Sequence, residues 1–106
     1  MIPMIDWLVF AALLLMVGAY GVLTSRHGVL VLMSIEVMLN AANISLITFA
    51  AYSAQLHAQA NVTGQVIVLV SIAAAAAEVA VALAILLVLH KRYGTIDVTK
   101  MNLLRW

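Results

Sequence analysis

An all-α integral membrane bundle of three transmembrane helices is the fold class this sequence predicts, on three observations. Hydrophobic residues make up 67% of the 106 positions and charged residues 8%, with a mean hydropathy of +1.20. That is far from the soluble average of about 25% charged. The apolar residues fall into three runs, each of at least the roughly 20 residues that a helix needs to cross a bilayer. All five Lys and Arg residues (Arg26, Lys91, Arg92, Lys100 and Arg105) fall on one side of a three-span arrangement.

The first helix is expected over about 4–25. Trp7 stands at one interface, and a polar turn of Thr24, Ser25, Arg26 and His27 stands at the other. Met1 to Phe10 carries Asp6 and no Lys or Arg. That is the wrong n-region for a cleaved signal peptide, so this span is expected to stay in the protein. The second helix, about 28–52, is interrupted only by Glu36, Asn40 and Asn43, and SAQLHAQAN (53–61) reads as a polar loop after it. The third, about 62–90, contains Glu78 and ends at His90, Lys91 and Arg92. Cations suit both a helix C-terminus and a headgroup region. A tail, 91–106, follows, with Gly94 as a C-cap and Trp106 as an interfacial anchor. The positive-inside rule then places the N-terminus outside and the C-terminus, with its tail, in the cytoplasm. A fourth span would have to break the third run, which has no Pro, Gly or charge cluster between Gly64 and His90.

Composition and motifs also exclude functions. A net charge of +1 offers no basic, aromatic-interleaved patch for nucleic acid. Without cysteine there are no disulfides, thiolate metal sites or thiol catalysis. His27 and His90 fall on the opposite side of the membrane from His57, and no H-E-x-x-H spacing exists, so no metal site is expected. The six methionines read as packing filler. The sequons at Asn43 and Asn61 are uninformative, because the first lies inside a span.

The chemistry lies in Glu36 and Glu78. Each sits well inside an apolar run, with Glu36 roughly 15 Å from Arg26 and Glu78 roughly 18 Å from His90 at 1.5 Å per residue. Both depths are close to the midplane of a core about 30 Å thick. A carboxylate at that depth costs roughly 2.5–3.5 kcal/mol on insertion scales, so it is rarely present without a function. Carboxyls in an apolar medium lose the hydration of their charged form, which can bring proton binding and release into the neutral pH range. Two such groups at matched depth therefore predict a proton relay. Asn40 and Asn43 share the stripe of Glu36 at i+4 and i+7, as interhelical hydrogen-bond partners or as relay support. Around Glu78 the same period aligns Gly64, Ser71, Ala74, Ala75 and Ala82 into a small-residue face, with Ser71 as a further supporting group. Ala11, Gly18 and Ser25 repeat the pattern on the first helix. Small residues let helices approach closely in lipid. Arg26 reads as an interfacial anchor, with a supporting role beside the Glu36 path as the minority reading.

The stretch GVLTSRHGVLVLMSIEVMLNAANIS (21–45), the AAAAAEVAVALAILL core of the third run and the tail TIDVTKMNLLRW resemble subunit K of the proton-translocating NADH-quinone oxidoreductases, the respiratory complex I family. The likeness covers nearly the whole chain. It implies a three-helix membrane-arm subunit of a redox-driven pump, with Glu36 and Glu78 in the chain of buried acids between the quinone end and the antiporter-like subunits. It further implies no catalytic residue and no cofactor in this chain; FMN or iron–sulfur clusters and a quinone belong elsewhere in the complex. The expected partners are quinone-site, antiporter-like and neighbouring small subunits, together with lipid. The T-S-R segment and the N-L-L-R-W ending look most like the cyanobacterial and plastid branch, which uses ferredoxin and plastoquinone. The location expected is the bacterial cytoplasmic membrane, or the thylakoid in an oxygenic phototroph. Subunits of multisubunit Na+/H+ antiporters share the three-helix plan but are less similar around the two acids. A four-span drug/proton exporter would carry its acid in the first helix, and a purely structural adaptor would tolerate loss of both carboxyls.

Overall fold

In the computed structural model, which describes residues 2–100, α1 spans Met4–Thr24, α2 Gly28–Ser53 and α3 Ala58–Tyr93, followed by a single 3-10 turn at Val98–Lys100. All three α-helices are long and apolar enough to cross a membrane. Trp106 and Arg105 lie outside the described residues.

The connection between α2 and α3 is shorter than the polar composition of 53–61 predicts. Only Ala54 to Leu56 form a turn, and His57 is the N-cap of α3. From Ala58 on nothing breaks a helix, since Ala and Gln are good helix formers and neither Gly nor Pro occurs before Gly64. The polar first turns are held from within, by Gln65 Nε2 donating to Asn61 Oδ1 at 3.1 Å and Thr63 Oγ1 donating to the Gln59 carbonyl at 3.1 Å. At 36 residues α3 is about 54 Å long. Its polar start therefore projects beyond an apolar core about 30 Å thick.

The molecule is elongated, 59 × 23 × 20 Å, and α2 is its central element. α1 and α3 each pack along α2 and hardly touch one another. Small residues make both seams. A side-chain carbon on Gly18 would come within 2.8 Å of the Ser34 carbonyl oxygen, and one on Gly21 would strike the Ser34 side chain. Ala11 and Gly18 are buried there, as their seven-residue spacing predicts. On the other seam Ala50 of α2 lies directly against Gly64 of α3, with Val68 and Ala75 buried beside them. Only 11% of the most apolar window of α1 and of α2, and 6% of that of α3, is buried inside the chain. Lipid or other chains must cover the rest.

Gly94 ends α3 as the sequence predicts. Its φ of 69° is left-handed, and its N–H donates to the His90 carbonyl at 2.7 Å. Nothing lies within 4 Å of a side-chain carbon placed there, so Gly94→Ala meets backbone strain alone. The expected cost is about 1 kcal/mol, read as a lower unfolding midpoint in detergent, with Gly94→Asn costing less. Beyond Gly94 the chain turns back across the α1–α2 connection. Gly28 N–H donates to the Ile96 carbonyl at 2.8 Å and Val98 N–H to the Arg26 carbonyl at 3.0 Å, pairing His27 with Asp97 antiparallel. Thr99 hydrogen-bonds the Asp97 carboxylate through its hydroxyl, and this bond foremost holds the Asp97 pKa below its ordinary value.

Candidate functional site: a polar seam between α2 and α3

The α2–α3 seam keeps one antiparallel register over its whole length. Gly28 meets Leu86, Asn43 bonds Ser71, and Ala50 meets Gly64. Each step of seven along α2 from Ala50 to Asn43 is answered by a step of seven along α3, from Gly64 to Ser71. Another such step reaches Glu36 and Glu78. The two acids therefore stand at the same level of the helix pair, one heptad from the Asn43–Ser71 bond. That level lies about 12 Å along α2 from Gly28 and about 26 Å from Ser53, nearer the α1–α2 turn than the opposite end.

Level does not mean equal surroundings. Glu36 is half-buried, whereas Glu78 lies on the outer surface of the chain, at the border of the stripe that faces α2. Ala75, one turn away, is buried, and Ala74 is exposed. Glu78 opens onto a shallow hollow of about 340 Å³ lined by Ala77, Val81, Ala82 and Ile85. An ionisable group pointed at hydrocarbon is costly, so this hollow requires a polar or protein cover in the membrane.

Of the candidate supporting groups, the structure joins two. Asn43 is buried, 6% exposed, and its Oδ1 accepts from Ser71 Oγ at 2.8 Å. Asn40 sits on α2 with Glu36 by the 3.6 period but is exposed, because i+4 and i+7 diverge by about 60° around the helix and only the latter keeps to the seam. Arg26 is exposed in the α1–α2 turn, roughly 15 Å along the chain from Glu36, and its backbone carbonyl accepts from the tail's Val98 N–H. The sequence pattern did not reveal Gly28, which is buried where α2, Leu86 and the Ile96 carbonyl converge. The D-x-T signature at Asp97 and Thr99 signals the turn that brings the tail there.

Removing the Asn43–Ser71 bond across the seam has a modest expected effect. Ser71→Ala should destabilise the helix pair by about 0.6 kcal/mol, the mean for interhelical hydrogen bonds in membranes. A denaturant titration of the detergent-solubilised protein checks this, with Asn40→Ala, outside the seam, as the neutral comparison.

Fold and site together define a class: a small integral membrane protein that sets two level carboxyls along a tight helix seam and leaves most of its apolar surface for others to cover. The family model described as NADH-ubiquinone/plastoquinone oxidoreductase chain 4L matches residues 6–106, and the chain belongs to that family. It is 42% identical over 102 residues to NADH-quinone oxidoreductase subunit K 2 of Solibacter usitatus, covering 96% of this chain and 94% of that one. It is 48% identical over 100 residues to the organellar-chromatophore NAD(P)H-quinone oxidoreductase subunit 4L of Paulinella chromatophora, covering 94% and 93%. With NAD(P)H-quinone oxidoreductase subunit 4L of a Synechocystis strain it shares 46% over 99 residues, covering 93% and 92%.

Proposed function

We propose that this chain is a membrane-arm subunit of a complex I-like, redox-driven proton pump, and that Glu36 and Glu78 are the protonatable groups it contributes to the translocation path. The observation that carries the site is the register: two carboxyls that are 42 residues apart in sequence share one level of the α2–α3 seam. Relatives named for NADH-quinone and for NAD(P)H-quinone oxidoreductases match at similar identity, and the proposal is common to both.

Chemically, a carboxyl takes up or releases a proton according to the charges and water brought near it, which is what a relay group must do. Glu36, half-buried within the chain, takes the inner position. Glu78, on the outer face, is the group that a neighbouring subunit would cover and with which it would exchange protons. Ala77 and Ala82 beside it leave room for a helix to approach closely. The Asn43–Ser71 bond and the Ala50–Gly64 contact close the seam on the side away from the α1–α2 turn. Protons then reach the acids laterally or from the turn end, without a direct route through this chain. Electron transfer through FMN or iron–sulfur clusters to a quinone takes place in other subunits. The N-terminus is proposed to lie outside and the tail in the cytoplasm, following the charge bias.

Purification of the tagged chain in mild detergent, with mass spectrometry of what co-purifies in stoichiometric amount, tests assembly. Quinone-site, antiporter-like and iron–sulfur subunits are the expected result. Recovery as a lone chain or a small homo-oligomer would overturn it.

A further inference from the structure

We infer that the end of the molecule bearing the α1–α2 turn holds a binding site for one anionic phospholipid, its acyl chain lying in a groove between α2, α3 and the returning tail. The groove, about 230 Å³, is lined by Val29, Leu83, Leu86, Leu87, His90 and Ile96. Five of these are aliphatic, and the polar one, His90, stands where α3 leaves the apolar layer. From Leu83 to His90 the groove wall runs two helical turns, about 10 Å, enough for the glycerol-proximal part of an acyl chain. The tail forms part of the wall because two main-chain hydrogen bonds hold it against the α1–α2 turn and so fix Ile96 in place.

Charge selects the headgroup. At this end, among the described residues, stand Arg26, Lys91, Arg92 and Lys100, all exposed, against a single acid, Asp97. The Asp97 carboxylate is engaged by the tail itself, its Oδ1 accepting from the N–H of Thr99 at 3.0 Å and from the Thr99 hydroxyl at 2.6 Å. Arg26 and Lys100 also act on that carboxylate, whereas Lys91 and Arg92 follow His90 in the last turn of α3 and carry the positive charge available to a phosphate at this level of the membrane. Clusters of Lys and Arg at the ends of transmembrane helices attract anionic lipid at about 1 kcal/mol per cation, or roughly fivefold in affinity each. A zwitterionic headgroup gains little of this. A neighbouring protein helix would fill an apolar groove equally well but has no need of phosphate-binding cations at its rim.

The test places a photo-crosslinking amino acid at position 87, where Leu87 is 63% exposed and a large side chain is tolerated. Irradiation is done in native membranes, followed by purification of the whole assembly and mass analysis of the modified peptide. An adduct with the mass of an anionic phospholipid is expected. In Lys91→Gln/Arg92→Gln its yield relative to zwitterionic adducts should fall by roughly fivefold or more. An adduct to another polypeptide, adducts in proportion to the bulk lipid composition, or an unchanged ratio in the double variant would each overturn the assignment. Because the readout is the adduct's identity, it stands apart from whether the assembly pumps protons.

Discussion

Glu36→Gln and Glu78→Gln are each expected to leave the chain assembled while lowering redox-driven proton translocation about a hundredfold or more, the low end of what a positioned proton-transfer group supplies. Glutamine keeps the size and hydrogen-bonding capacity of the side chain but has no proton to release at neutral pH. Packing along the seam should therefore survive, and the half-buried position of Glu36 should accept the neutral amide without disturbing Asn43 or Ser71 one heptad away. If the two acids serve one path, the double variant should be hardly worse than the more severe single one, since groups that act as a unit are strongly non-additive. The measurement is quinone-linked proton uptake by membrane vesicles, alongside assembly on native gels. Normal assembly with normal pumping in both single variants would leave the carboxyls as mere packing groups and sink the relay.

The largest structural effect should come from Gly64→Ala. Its new methyl would collide with the Ala50 side chain, and helix backbone lies behind that carbon, so α2 and α3 must separate. Overpacking of this kind typically costs about 1–3 kcal/mol. Separation at Gly64 also strains the Asn43–Ser71 bond, two turns along the same seam, so the seal above the acids should loosen with it. The expected outcome is a lower thermal midpoint of the purified assembly and a smaller assembled fraction. Ala50→Gly introduced into the Gly64→Ala background should restore much of both, because it removes the opposing methyl. Failure of that rescue would mean the contact is not where the stability resides. Val62→Leu, at an exposed site on the same helix, is the control and should be silent.

Much of this protein is legible in the chain itself. Three apolar runs bounded by polar turns can only be satisfied in lipid as helices, because a helix closes its own backbone hydrogen bonds, and so the all-α class, the spans and the Gly94 cap follow from local physics. Ala11 and Gly18 declared the α1 packing face by spacing alone. Glu36 and Glu78 stood out as candidates for the same reason: a carboxyl surrounded by hydrocarbon-like residues is conspicuous wherever it occurs. The exact ends were less legible. The Ser53–Asn61 segment is polar enough to read as loop, yet only Ala54 to His57 stay outside a helix, and from Ala58 on its Ala and Gln residues favour helix.

What only the tertiary structure decided is how the helices are phased against one another. Sequence periodicity puts Glu36, Asn40 and Asn43 on one stripe, but a stripe has two edges, and the fit of Ala50 into Gly64 selects the edge that keeps Asn43 and leaves Asn40 out. The same contact puts Glu78 level with Glu36 while turning it toward the outside of the chain. The folding back of the tail onto Arg26 and Gly28 is likewise absent from any local pattern. Local composition determines whether a segment is helical and where it sits in the membrane. Which faces meet depends on interlocking between residues distant in sequence, here Gly28 with Leu86, Asn43 with Ser71 and Ala50 with Gly64.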